Sequence, residues 1–167
     1  SILTFFFLKN KNKINLIFVG DEFSSIFYKV YLKILKSLVQ FFHKNKKIYF
    51  LEKIKRENVI DIFFECRIFL FTSRIECSPL VLFESSAAGL PFVSLNVGNS
   101  KEIANWIGSG VVFSNIKNLS LYLDRLINDK NKRDELSKQG INKVKTEYNW
   151  EKISLKYLQT FKKFNLK

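Results

Sequence analysis

Short apolar runs that stop at a glycine or a polar turn alternate in this chain with longer amphipathic stretches. That alternation narrows the fold more than any other property of the sequence. Residues 15–19, ending at Gly20, have the mainly apolar character of a strand buried on both faces. From residue 22 to about 43, Ile26, Phe27, Val30, Tyr31, Ile34, Leu35, Leu38 and Val39 recur at helical spacing, with Lys29, Lys33 and Lys36 on the outer face. The beat then repeats: strands at 48–51, 68–71, 92–95 and 110–113, with helices at 56–66, 80–88 and 101–106 between them. Three helices at 119–128, 130–147 and 150–164 close the chain. In the last of these Ile153, Tyr157, Phe161 and Phe164 form a stripe expected to face the core. Residues 1–8 are apolar and fit the end of a helix or a strand equally well. Strands alternating with helices predict one α/β domain, residues 1–167, built on a doubly wound, Rossmann-like parallel sheet flanked by helices. In such sheets ligands bind outside the carboxyl ends of the strands. The loops gathered there are Gly20–Asp21–Glu22, Glu52–Lys53, 72–78 and 95–100.

The loop at 72–78 leads into the most informative stretch, IECSPLVLFESSAAGLPFVSLNVGNSKEI, residues 75–103. Ser78 suits a helix N-cap and Pro79 the first helical position, where its missing N–H is no loss. Gly89 and Pro91 end that helix, and Ser100 can cap the next one. Glu76 lies in the entry loop and Glu84 inside an otherwise apolar helix. Carboxylates in such settings are costly unless something polar meets them, and a ligand is one such partner. The helix opening near Pro79 directs free N–H groups and its positive dipole end at the cleft, where an anion would be stabilised. The donors would be the amides of Cys77, Ser78 and Leu80 with the Ser78 hydroxyl, since no Lys or Arg occurs from residue 75 to 100. An ordinary capped helix explains the same residues. Gly20 and Gly98 suit tight turns and close backbone approach.

Glu76 and Glu84, Pro79–Leu80, the run Ala87–Ala88–Gly89–Leu90–Pro91 and the turn Val97–Gly98–Asn99 with Glu102 after it resemble the paired-glutamate signature of group 1 retaining glycosyltransferases, enzymes with a two-domain B-type fold. Asn15–Asp21, Arg67–Arg74 and Tyr148–Ile153 resemble other parts of that family in the correct order, so the likeness spans nearly the whole chain. The resemblance implies the C-terminal, nucleotide-sugar-binding domain of such an enzyme. Glu84 would bond the ribose hydroxyls. Glu76 would hold hydroxyls of the donor sugar and place the anomeric carbon, and it is the candidate catalytic residue. Cys77, Ser78, Leu80, Gly20, Arg74, Gly98 and Asn99 would complete the donor site. Glu52 stands where relatives usually have glycine, after the strand facing the nucleobase, and Arg74 has the alternative of pairing with a surface acid. Glu102 is explained by the helix dipole alone. With no Asp-x-Asp motif, neither a metal nor a cofactor is expected beyond the donor itself. The implied partners are the nucleotide-sugar, a glycan or lipid-linked acceptor, and a missing N-terminal acceptor-binding domain. The chain has no methionine, even at position 1, and is expected to be truncated on its N-terminal side. The family's C-terminal domain opens with one more strand and a loop carrying an Arg/Lys pair, so the chain alone should be inactive.

A formal net charge of +13 raises a second class of function, a non-catalytic basic domain that binds a membrane surface or nucleic acid. The bases fall outside the 75–100 stretch, in 9–13, 44–47, 53–56, 130–133 and the last helices, and no nucleic-acid module accompanies them. A solvated, Lys-rich surface is the simpler reading. Anionic lipid is the better functional partner, and nucleic acid is not expected. A sugar-nucleotide epimerase of the same architecture would need acid/base residues beside the sugar, commonly histidine, and His43 is the only one. Two cysteines, Cys66 and Cys77, lack metal-ligand spacing and fit a reducing compartment. The chain is accordingly expected to be cytoplasmic and peripheral to the inner face of the membrane.

Overall fold

The computed structural model describes residues 2–10, 12–20 and 26–164. The apolar runs become β1 (Ile14–Gly20), β2 (Lys46–Glu52), β3 (Phe69–Phe71), β4 (Phe92–Leu95) and β5 (Gly110–Phe113). Between and after them lie α1 (Ile2–Phe7), α2 (Ile26–Phe42), α3 (Arg56–Glu65), α4 (Val81–Ala87), α5 (Ser100–Ile107), α6 (Ile116–Asn128), α7 (Lys130–Glu147) and α8 (Trp150–Phe164). Every pairing is parallel, as helical crossovers require, and the class is α/β. The strands divide into two sheets, β1–β2 and β3–β4–β5, where the alternation predicted one. Among the described residues no strand lies between β1 and β3.

Residues 2–7 are helical, and a buried lysine explains why the helix ends where it does. The Lys46 ammonium donates to the carbonyl oxygens of Phe5 at 3.0 Å, Phe6 at 3.2 Å and Leu8 at 2.6 Å. Three acceptors at the end of α1 are thereby satisfied by a cation placed at the negative end of the helix dipole. Lys46 is only 1% exposed, which corrects the expectation of a solvated run at 44–47. Burial pulls its pKa down, and Asp124 acts in the opposite direction.

Two cores cover the two faces of the sheets. Phe5 of α1 with Leu8 just after it, Leu32 and Val39 of α2, Ile48 of β2, Val93 of β4 and Leu119, Leu123 and Leu126 of α6 belong to the first, which joins both sheets. Leu82 of α4, Phe92 of β4 and Ile103, Ala104 and Ile107 of α5 form the second, on the other face of the three-stranded sheet. The stripe on α8 does not face either core. No α8 residue is buried, and Tyr157, Phe161 and Phe164 are 61–77% exposed. Both faces of β3–β4–β5 are already occupied, by α6 on one side and by α4 and α5 on the other, so α8 leaves the body touching α7.

Candidate functional site

The carboxyl ends of β3 and β4 bring the two loops of the 75–103 stretch together. Gly98, at φ +51°, lies against the backbone of the first loop: a Cβ there would fall 2.2 Å from the Cys77 carbonyl oxygen and 2.7 Å from that of Glu76. The Asn99 amide donates to the Cys77 carbonyl at 3.0 Å. Ser100 secures the second loop from inside. Its hydroxyl accepts from the Val97 amide at 3.0 Å and donates to the Leu95 carbonyl at 3.1 Å. Ser100 is therefore the first residue of α5 rather than its cap, because its hydroxyl is already engaged in the loop. Asn99 precedes the helix without a side-chain capping bond, and its buried Oδ1 has no hydrogen-bond partner.

The first loop opens α4 differently from the sequence expectation. Leu80, not Ser78, is the residue before the helix, its backbone is already helical, and no side chain caps it. The Leu80 carbonyl accepts from the amides of Phe83 and Glu84, and that of Pro79 from Leu82. Ser78 thus stands outside the hydrogen-bonded turn that Pro79 begins, and α4 is seven residues long rather than the nine of 80–88. A helix this short has a weak dipole, which leaves less of the expected anion attraction to it. Glu76, Cys77, Ser78 and Leu80 are exposed along this loop, as is Arg74 ahead of them.

Glu84 sits in the first turn of α4 and forms an ion pair with Arg56 at the start of α3. Arg56 is the residue that sequence reading missed. Its only signal was membership of the basic run at 53–56, read as solvated surface. The two side chains are 58% and 36% exposed, a setting in which an ion pair contributes about 0–1 kcal/mol, so the pair positions the carboxylate more than it stabilises the fold. It also supplies the polar partner that the sequence left open for Glu84. On the other sheet Gly20 and Glu52 end β1 and β2 in register, and the Lys53 amide donates to the Gly20 carbonyl at 3.2 Å. Lys53 turns at φ 52°, a conformation that favours glycine, so the glycine-like turn lies one residue after Glu52. The Glu52 carboxylate lies 3.8 Å from the Lys29 ammonium. Asp21 and Glu22, which complete the expected loop beside Gly20, lie outside the described residues. The structure therefore joins Glu76, Cys77, Gly98 and Asn99 by direct contact, links Glu84 to Arg56, and sets Gly20 with Glu52 at the carboxyl end of the neighbouring sheet.

The family model described as "Glycosyl transferases group 1" matches residues 3–143. Spore coat protein SA of Bacillus subtilis (strain 168) is 24% identical over 119 residues, covering 68% of this chain and 31% of that protein. Two solved structures share the fold. Sucrose-phosphate synthase from Thermosynechococcus elongatus superposes with a TM-score of 0.72 at 20% identity, covering 98% of this chain and 41% of that one. WaaG, described as a glycosyltransferase involved in lipopolysaccharide biosynthesis, gives a TM-score of 0.61 at 17% identity over 79% of this chain and 33% of its own. The chain thus spans about a third of the length of the curated relative it matches.

Proposed function

The chain belongs to the group 1 glycosyltransferases, and from that premise we propose that it is the donor-binding half of an enzyme that moves a sugar from a nucleotide-sugar to a glycan or lipid-linked acceptor with retention at the anomeric carbon. The observation that carries the reading is the contact between the two loops at Gly98, which gathers Glu76, Cys77 and Asn99 at the carboxyl end of a parallel sheet, where such folds hold their ligands. In this reading Glu84 accepts from the ribose hydroxyls, and Arg56 orients its carboxylate. Glu76 bonds the donor sugar and places the reacting carbon. The amides of Cys77, Ser78 and Leu80, with the Ser78 hydroxyl, donate to the diphosphate. Donor binding needs no divalent metal, and turnover needs an acceptor-binding half outside these residues. No helix among the described residues is long and apolar enough to cross a membrane. A cytoplasmic location with peripheral contact at anionic lipid rests on the basic surface.

Calorimetry in EDTA with UDP, GDP and ADP tests the proposal. Binding of at least one nucleotide is expected, weakened by about 1–3 kcal/mol in Glu84→Ala through loss of a charged hydrogen-bond acceptor. In an enzyme containing both halves, Glu76→Ala should depress kcat more than it raises the donor KM. Binding that appears only with magnesium or manganese overturns the metal-independent site. Binding to DNA with no response to any nucleotide overturns the functional class. Vesicles of anionic and of zwitterionic lipid test the peripheral contact separately.

A further inference from the structure

Helix α2 is apolar on two sides. Leu32 and Val39 are buried in the first core. By the 3.6-residue turn, Val30, Ile34, Leu38 and Phe41 fall nearly opposite that pair and form a second apolar stripe. Val30, Ile34 and Leu38 are 44–54% exposed, and the stripe ends in Phe41 and Phe42, at 79% and 60%. Phe7 of α1, also exposed, joins this end through Phe6, whose ring centre lies 5.6 Å from that of Phe7 and 5.9 Å from that of Phe42. From Val30 to Phe42 the stripe runs about 18 Å along the helix. The charge around it has one sign. Residues 23–51 contain six lysines and no acid. Lys46 is the buried one, whereas Lys29 and Lys33 on the flank of the stripe and Lys44 and Lys47 beyond Phe42 are exposed. We propose that this face of α2, with Phe7 and the lysines beside it, is the surface by which the protein sits on an anionic lipid bilayer.

The inference rests on the peripheral lipid contact in the proposed function and gives that contact a location. Phenylalanine and leucine on one face, with lysine on its flank, is the composition of a helix lying in the bilayer interface. The apolar side enters the acyl boundary, and the lysine stems are long enough to hold their ammonium groups at the lipid phosphates. The all-lysine charge matches a surface of anionic headgroups and no other sign of partner. A second copy of the chain fits this face less well. Two α2 helices packed antiparallel about a two-fold axis would set their lysine flanks on the same side of the contact. Neither helix carries an acid to offset that repulsion.

Sedimentation with vesicles tests the surface. The protein should bind vesicles of equal parts phosphatidylglycerol and phosphatidylcholine and leave pure phosphatidylcholine alone. Phe41→Ser with Phe42→Ser should weaken that binding at least about tenfold, since both rings lose the apolar area they bury on insertion. Lys33→Gln with Lys44→Gln should weaken it about fivefold per charge and reduce its salt dependence. Binding that ignores the phenylalanines, or no binding to either vesicle, overturns the proposal. So does a dimer that Leu38→Asn separates and that binds no vesicle, which makes a second copy the occupant. Should the serine variant fail to fold, a fluorophore on Ser37→Cys in a Cys66→Ser, Cys77→Ser background decides. Ser37 is exposed beside the stripe, and the change leaves every apolar side chain of α2 in place. A blue shift with the anionic vesicles supports insertion, and unchanged emission overturns it. Nucleotide calorimetry is run without lipid, so a protein that binds nucleotide but no vesicle sinks this surface and leaves the donor site standing.

Discussion

Gly98 shows how much one side chain can decide. Its positive φ and the 2.2 Å that would separate a Cβ from the Cys77 carbonyl oxygen act together, and the obstacle is backbone, which cannot swing aside. Gly98→Ala should therefore part the two loops, cost about 1–3 kcal/mol as a strained backbone conformation does, and abolish nucleoside diphosphate binding. Calorimetry and chemical denaturation would check both effects. Lys46 is the corresponding residue of the core. Lys46→Met strands the carbonyls of Phe5, Phe6 and Leu8, and each unpaired buried acceptor costs about 1–3 kcal/mol, which urea unfolding would register. The same neighbourhood sets an acid limit. Burial first, and the Lys46 charge second, hold the His43 pKa below its ordinary 6.5, against an opposing hydrogen bond with the Phe6 backbone. The unfolded chain then binds a proton that the folded one resists, so stability should fall as pH drops through about 6.5. Thermal unfolding from pH 8 to pH 5 should show this decline, and His43→Gln should flatten it. Sequence reading identified Gly98 and the two glutamates, because spacing and local turn chemistry are local properties. It did not find Arg56 beside Glu84, since nothing local ties α3 to α4.

At the level of elements, helical period and helical burial part company in α8. Its range was legible from residue 150 to 164, because a repeat of apolar residues is a property of the sequence alone. Which surface covers that repeat is not, and among the described residues its aromatic side is uncovered. Phe161→Ser and Tyr157→Ser should accordingly shift the stability of the domain by no more than about 0.5 kcal/mol, as surface changes do. A large loss in thermal unfolding would show that the helix packs where the structure leaves it open. In α4 the difference has another origin. Ser78 and Pro79 have the right chemistry to open a helix, but the contact between the loops at Gly98 holds residues 76–78 outside the first turn. Ser100 was diverted in the same way, from capping α5 to tying Val97 and Leu95.

For the whole molecule, the first core is what binds two separately paired sheets into one body, since Ile48 of β2 and Val93 of β4 belong to the same cluster. Leu119 of α6 is fully buried within it. Leu119→Ala should cost about 2–5 kcal/mol, and β1–β2 should unfold together with β3–β4–β5 in one transition. Hydrogen exchange resolved by strand would reveal two transitions if the sheets were energetically separate.

The sequence by itself determined the order and kind of the elements, the parallel α/β class and the loops at the carboxyl ends. Each of these follows from periodicity, from glycine and proline punctuation, or from the rule that helical crossovers make parallel strands. The tertiary structure alone decided that Lys46 is buried beneath α1, that Arg56 meets Glu84, and that α8 stands clear of the core. All three depend on which surfaces distant segments present to one another. A buried ammonium or a bridging ion pair is created only when those segments meet.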